Sequence, residues 1–160
     1  MSLKLTTTAF EHEGFIPDKY SKDGKNLSPQ LSWSGVPAGT KSLALIVDDP
    51  DAPSGVFVHW LVYGIPSGTS GLEEGRPATE TLAGGIRQGR NGFGELGYGG
   101  PQPPSGTHRY VFHLFALDQE PDLSSGVSRR QVDGALKGHV LAEAQLVGKY
   151  THHQPGSQAA

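Results

Sequence analysis

The sequence predicts a mainly β chain with one late helix, on three observations. Segments 42–48, 56–63 and 108–117 are runs of apolar, β-branched and aromatic residues of strand length. Glycine (23) and proline (12) supply frequent turns across 160 residues. Helical periodicity combined with a start signal occurs once, after Ser128.

In chain order, Leu3-Lys4-Leu5-Thr6-Thr7 and Gln30-Leu31-Ser32-Trp33 are short strand candidates. Ser42-Leu43-Ala44-Leu45-Ile46-Val47-Asp48 reads as a buried strand, because its apolar run does not alternate. Val56-Phe57-Val58-His59-Trp60-Leu61-Val62-Tyr63 is a second strand, ending at Gly64. Between Gly64 and Gly106 lie 13 glycines and five prolines, an irregular stretch too long for a compact domain to carry without use. Its upstream part, 68–89, reads as plain flexible loop. His108 to Leu117 is a third long strand, and Ala144 to Tyr150 a last one. Ser128-Arg129-Arg130-Gln131 fits a capping box. Val132, Ala135, Leu136, His139 and Val140 then recur at helical spacing, predicting a helix near 129–143 that Gly134 and Gly138 weaken. Residues 1–150 make one expected domain, and 151–160 a polar C-terminal tail.

Composition excludes several classes. There is no cysteine, so disulfides, thiolate metal sites and cysteine nucleophiles are out. A net charge of -3 argues against a nucleic-acid partner. No run approaches a membrane span, and Met1 to Thr7 lacks the apolar core of a signal peptide, so a soluble cytoplasmic protein is expected.

Period-two geometry sorts the candidate site residues. It puts Phe57, His59, Leu61 and Tyr63 on one face of their strand, and His108, Tyr110, Phe112 and Leu114 on one face of theirs. Two histidines on otherwise apolar faces read in two ways: as core residues bonded to backbone carbonyls, or as donors converging on an anion. Asp48-Asp49-Pro50-Asp51-Ala52-Pro53 follows a buried strand, and reads either as a solvated acidic turn or as a turn aiming one carboxylate inward. Gly92-Phe93-Gly94-Glu95-Leu96-Gly97 matches a dinucleotide spacing but neither follows a buried strand nor opens an apolar helix. Asp49, His59 and His108 could also ligate zinc, although nothing in the sequence specially supports it, and His152-His153 sits in the polar tail.

Four stretches together resemble the phosphatidylethanolamine-binding protein family, in its bacterial and archaeal branch of Raf kinase inhibitor-like proteins. They are Ser28-Pro29-Gln30-Leu31-Ser32-Trp33-Ser34-Gly35-Val36-Pro37; Asp49-Pro50-Asp51-Ala52-Pro53 with His59 after it; Gly97-Tyr98-Gly99-Gly100-Pro101-Gln102-Pro103-Pro104 with Gly106-Thr107-His108-Arg109-Tyr110; and Leu146-Val147-Gly148-Lys149-Tyr150. The resemblance implies a large β-sheet packed on a smaller one, with few short helices, and a small anion-binding pocket. Carried over by motif, Asp49, His59 and His108 are its polar groups, and Tyr110, Gly100 and Pro101 line its wall. Phe57 fills an aromatic position, and Pro53 follows a cis peptide. Asp51 braces backbone. Departures are Gly92 where an aspartate is common, Gln30 for a frequent proline, and no long C-terminal helix. The pocket should therefore be more open, and lipid binding transfers least.

The expected function is non-catalytic: binding of a small anionic or phosphoryl group, with modulation of a kinase or other protein partner, and no cofactor or metal. Asp49 cannot stay charged beside a phosphate dianion unless a histidinium offsets it or the ligand brings its own ammonium, as phosphoethanolamine does. The alternatives are a serine protease inhibitor acting through an exposed loop, and a weak hydrolase using Asp49 and His59 or a zinc protein. A homodimer is expected by the same resemblance.

Overall fold

The computed structural model of the chain describes residues 2–79 and 82–151. Its elements are β1 (Lys4–Thr6), β2 (Leu31–Ser34), β3 (Ser42–Asp49), β4 (Phe57–Pro66), β5 (Gly71–Leu72), β6 (Arg87–Gln88), β7 (Thr107–Leu117), α1 (Arg129–Leu136) and β8 (Val140–Thr151). Short 3-10 turns occupy Asp18–Tyr20 and Ala83–Gly85.

The strands form two antiparallel sheets. The larger has the order β6-β4-β3-β7-β8 and the smaller β1-β2-β5. β3 lies at the centre of the larger sheet, which is why all eight of its residues are buried and its sequence does not alternate. One core fills the space between the sheets: Leu5, Leu31, Trp33 and Leu72 from the small sheet meet Leu45, Val47, Trp60, Val62, Phe112 and Leu146. A second cluster on the outer face joins Ala44, Ile46, Leu61 and Tyr63 to Val132 and Leu136 of α1. Each such side chain contributes about 1.5–3 kcal/mol on burial, so two-sided coverage anchors the large sheet firmly. Among the described residues no helix is long and apolar enough to cross a membrane.

Three expectations are corrected here. α1 starts where predicted, with the Ser128 amide bonded to Gln131 Oε1 at 3.0 Å and the Ser128 hydroxyl accepting from the Gln131 amide. It stops at Leu136, not 143. Gly138 takes φ +82°, the His139 amide bonds back to the Leu136 carbonyl, and Val140 already begins β8. The stretch 68–89 is not plain loop: it contributes β5 and β6, and the fully buried Gln88 ties it down. Gln88 Nε2 donates to the Pro77 and Thr79 carbonyls, at 2.9 and 2.7 Å, and its Oε1 accepts from the Trp60 indole at 2.7 Å.

The third correction bears on the site. Val47 pairs with Trp60 but Asp48 pairs with Val58, so His59 is the extra residue of a β-bulge. Strict alternation fails at that point. Phe57 and His59 fall on the face that carries Tyr110, whereas Leu61 and Tyr63 face α1. On β7 no bulge intervenes, and Tyr110, Phe112 and Leu114 share one face as expected. The polar tail expected over 151–160 falls largely on 152–160, outside the described residues, as does His152-His153.

Candidate functional site

The end of β3, the start of β4 and the start of β7 lie side by side, because Asp49 pairs with Phe57 and Asp48 with Val111. That register brings Asp49, His59, His108 and Tyr110 together, all four buried. His108 Nδ1 donates to Asp49 Oδ2 at 2.5 Å. The other oxygen, Asp49 Oδ1, accepts the Asp51 amide at 2.8 Å. Both oxygens of this carboxylate are therefore engaged, and the acidic turn aims it inward.

His59 is held differently. Its Nδ1 donates to the Gly99 carbonyl at 2.6 Å, while the Gly99 amide donates to the His59 carbonyl at 2.8 Å. This two-bond clamp fixes the ring plane and its tautomer, and among the described residues no geometric hydrogen bond engages Nε2. Burial lowers the His59 pKa, against the opposing pull of the Gly99 carbonyl, the Asp49 charge and the Gly100 backbone. The Tyr110 ring lies 5.1 Å from that of His59, edge to face. Its hydroxyl is buried without a hydrogen-bond partner among the described residues, and burial first, then Asp49, pushes its pKa upward. A buried hydroxyl without a partner costs about 1–3 kcal/mol, which the fold carries for a reason.

His59 and Tyr110 line a cavity of about 290 Å³, together with Pro53, Ser54, Phe57, Phe93, Ala52, Gln102 and Pro104. Phe57 and Phe93 meet at 4.8 Å, edge on. Two glycines make room for them. A methyl group at Gly92 would sit 2.6 Å from the Phe57 ring, and one at Gly99 would sit 2.7 Å from the Phe93 ring. Lys22 Nζ lies 3.6 Å from the centre of the Phe93 ring and pairs with Glu95 at 3.0 Å.

Of the residues singled out from the sequence, Pro53, Phe57, His59 and Tyr110 line this cavity. Asp49 and His108 do not line it; they close on each other behind Tyr110, whose ring stacks 6.5 Å from that of His108. Gly100 and Pro101 are not among the lining residues: the Gly100 backbone stands against the His59 ring and its amide donates to Asn26 at 2.7 Å, and the Pro101 carbonyl accepts from the Lys22 amide at 3.0 Å. They position the wall through the 21–26 loop. Asp51 braces backbone as expected, accepting from the Arg109 amide, Nε and Nη2 at 2.9, 2.9 and 2.7 Å. The cis peptide expected before Pro53 is not found. Ala52 to Gly55 instead makes a trans turn, closed by the Gly55 amide on the Ala52 carbonyl at 3.2 Å, with Gly55 at φ +112°. Phe93 and Asn91 were missed. Asn91 braces this loop: its Oδ1 accepts the Phe93 and Glu95 amides and its Nδ2 donates to the Gly97 carbonyl. Among the described residues no group of three His, Asp, Glu or Cys side chains has metal-holding geometry, so Asp49, His59 and His108 do not form the trio considered for zinc.

Fold and site together define a two-sheet antiparallel β protein with a histidine-bordered cavity at one end of its larger sheet. Residues 6–151 match the family model described as phosphatidylethanolamine-binding protein. A UPF0098 protein of Methanothermobacter thermautotrophicus is 54% identical over 148 residues, covering 92% of this chain and 98% of the relative. A second, from Aquifex aeolicus, is 47% identical over 151 residues, covering 92% and 88%. Among solved structures, the phosphatidylethanolamine-binding protein homologue CT736 of Chlamydia trachomatis superposes with a TM-score of 0.87 at 41% identity, over 95% of this chain and 99% of that one. Escherichia coli YbcL, described as a member of the mammalian family, gives 0.89 at 34% identity, over 96% and 100%. The chain belongs to the phosphatidylethanolamine-binding protein family.

Proposed function

We propose that this protein binds a small anion or phosphoryl group in the cavity beside His59, and binds it without transforming it. The observation that carries the reading is the Tyr110 hydroxyl, buried and unpartnered at the wall of a cavity that His59 also lines. A ligand oxygen there satisfies the hydroxyl and recovers the cost of leaving it unbonded. The Asp49–His108 pair stiffens the floor, and Phe57, Phe93 and Pro53 give the remainder of the ligand an apolar wall. Binding rather than catalysis is favoured because Ser54, the serine lining the cavity, makes no hydrogen bond to His59, whose Nδ1 is committed to backbone.

Thermal unfolding with inorganic phosphate and with a phosphomonoester tests the reading on the wild type and on His59→Ala. The wild type is expected to gain several degrees at ligand concentrations well above Kd, and the variant to gain little. No shift with either ligand in the wild type contradicts it.

A further inference from the structure

This inference rests on the anion-pocket reading and names the ionic form of its ligand. It starts from the charges. Of the residues lining the cavity none is a lysine or arginine. The nearby cations are engaged: Lys22 with Glu95 and the Phe93 ring, Arg109 with Asp51 through two guanidinium nitrogens. Asp48, next in sequence to Asp49, is turned to the α1 side, where it pairs with His113 and Arg129. The β3 carboxylate whose charge reaches His59 and Tyr110 is thus Asp49, on which His108 of β7 closes, while Tyr110 of β7 lines the cavity itself. Among the described residues lining the cavity there is no lysine or arginine to offset a dianion, and the nearby Asp49 carboxylate disfavours one.

The hydrogen-bonding pattern is equally specific. His59 donates through Nδ1 to Gly99, and the neutral ring favoured by burial presents Nε2 as an acceptor. Tyr110 keeps its proton and has no acceptor among the described residues. An acceptor beside a donor is matched by a ligand that has one hydroxyl and one bare oxygen on the same atom. We propose that the cavity selects the singly protonated monoanion of a phosphoryl group, whose own P–OH donates to His59 Nε2 while a P–O oxygen accepts from Tyr110. His59 thereby reads the ligand's proton, and a fully ionised phosphate or a sulfate, which has no proton to give, is rejected.

Calorimetric titration of the wild-type protein with phenyl phosphate, phenylphosphonate and phenyl sulfate between pH 5 and 8 tests this, the ring being chosen for the aromatic wall. Phenyl phosphate affinity is expected to fall by about tenfold per pH unit above the second ionisation, near pH ~6 for a phosphate monoester. The midpoint should move upward with phenylphosphonate, which keeps its proton to higher pH. Phenyl sulfate should bind at least about tenfold more weakly than phenyl phosphate at pH 5, equivalent to about 1.4 kcal/mol. Affinity that stays level or rises through the ligand's second ionisation overturns the proposal. So does a midpoint common to both phosphorus ligands, which assigns the pH dependence to a protein group. Failure of all three ligands to bind at every pH overturns the anion-pocket reading itself.

Discussion

The ring of His108 donates to the carboxylate of Asp49 at 2.5 Å, between two residues 7% and 3% exposed and 59 positions apart. The pair joins the start of β7 to the end of β3, and Asp49 in turn holds the amide of Asp51. A buried charge-assisted bond of this kind is costly to break from one side, because the remaining partner stays buried and unpaired. Asp49→Ala is therefore expected to lose about 3–5 kcal/mol of stability. Asp49→Asn, which retains an acceptor oxygen, should lose less. Urea unfolding of both variants and of Asp49→Ala combined with His108→Ala checks the coupling: the double variant should lose less than the sum of its parts. Simple additivity counts against a coupled pair.

Tyr110→Phe separates stability from function. Removing an unpartnered buried hydroxyl should leave stability unchanged or raise it by about 1 kcal/mol, while the rings around His59 keep their packing. Phosphomonoester affinity should fall by about tenfold, the loss of one good hydrogen bond. Denaturation and calorimetry on the same preparation give both numbers. A stability loss with unchanged affinity reverses the assignment.

Gly92 is a packing requirement rather than a turn requirement. An added methyl group meets the Phe57 ring at 2.6 Å, so Gly92→Ala must displace an aromatic wall of the cavity. The expected cost is about 1–3 kcal/mol, with weakened binding of phenyl phosphate and little change for inorganic phosphate. Equal weakening of both ligands contradicts that role for the wall.

Asp51 predicts acid sensitivity. Three bonds from Arg109 hold its carboxyl at about 2, below the ordinary 3.8. A depressed folded-state pKa contributes stability that is present above the unfolded value and lost as pH falls through the folded one. The loss belongs between about pH 4 and pH 2. Both partners are partly solvent-exposed, so the contribution is modest. Asp51→Asn should unfold with a shallower pH dependence across that window than the wild type. Parallel profiles refute the assignment.

The sequence makes β1, β2, β3, β4, β7 and β8 legible, the long strands most sharply. β3, β4 and β7 each bury a long apolar run, and their starts were found to within a residue. β5 and β6 have two residues each, Gly71–Leu72 and Arg87–Gln88, and two residues carry no periodicity. The helix was extended too far because His139 and Val140 continue its spacing, whereas the positive φ at Gly138 is a backbone event that spacing does not report. The bulge at His59 was invisible for a related reason: one extra residue in a register shows only against the partner strand. The polar site candidates that the sequence singles out, Asp49, His59, His108 and Tyr110, all lie on the long strands β3, β4 and β7. Phe93, Asn91 and Gln102 sit in the glycine-rich connection, where long-range hydrogen bonds rather than local pattern decide position. The two glycines flanking the aromatic pair were the available signal, since a missing side chain marks a close approach.

The central claim, that a ligand phosphoryl group reaches the ring of His59, is tested most directly by following histidine side-chain resonances during titration with phenyl phosphate at pH 5.5, close to the ligand's second ionisation near pH ~6. The account predicts a saturable displacement of the His59 Nε2 signal, with Nδ1 still protonated on the Gly99 carbonyl, while His113 and His139, paired with Asp48 and Asp118, stay in place. Saturable binding that leaves His59 unmoved, or moves His113 or His139 instead, contradicts it.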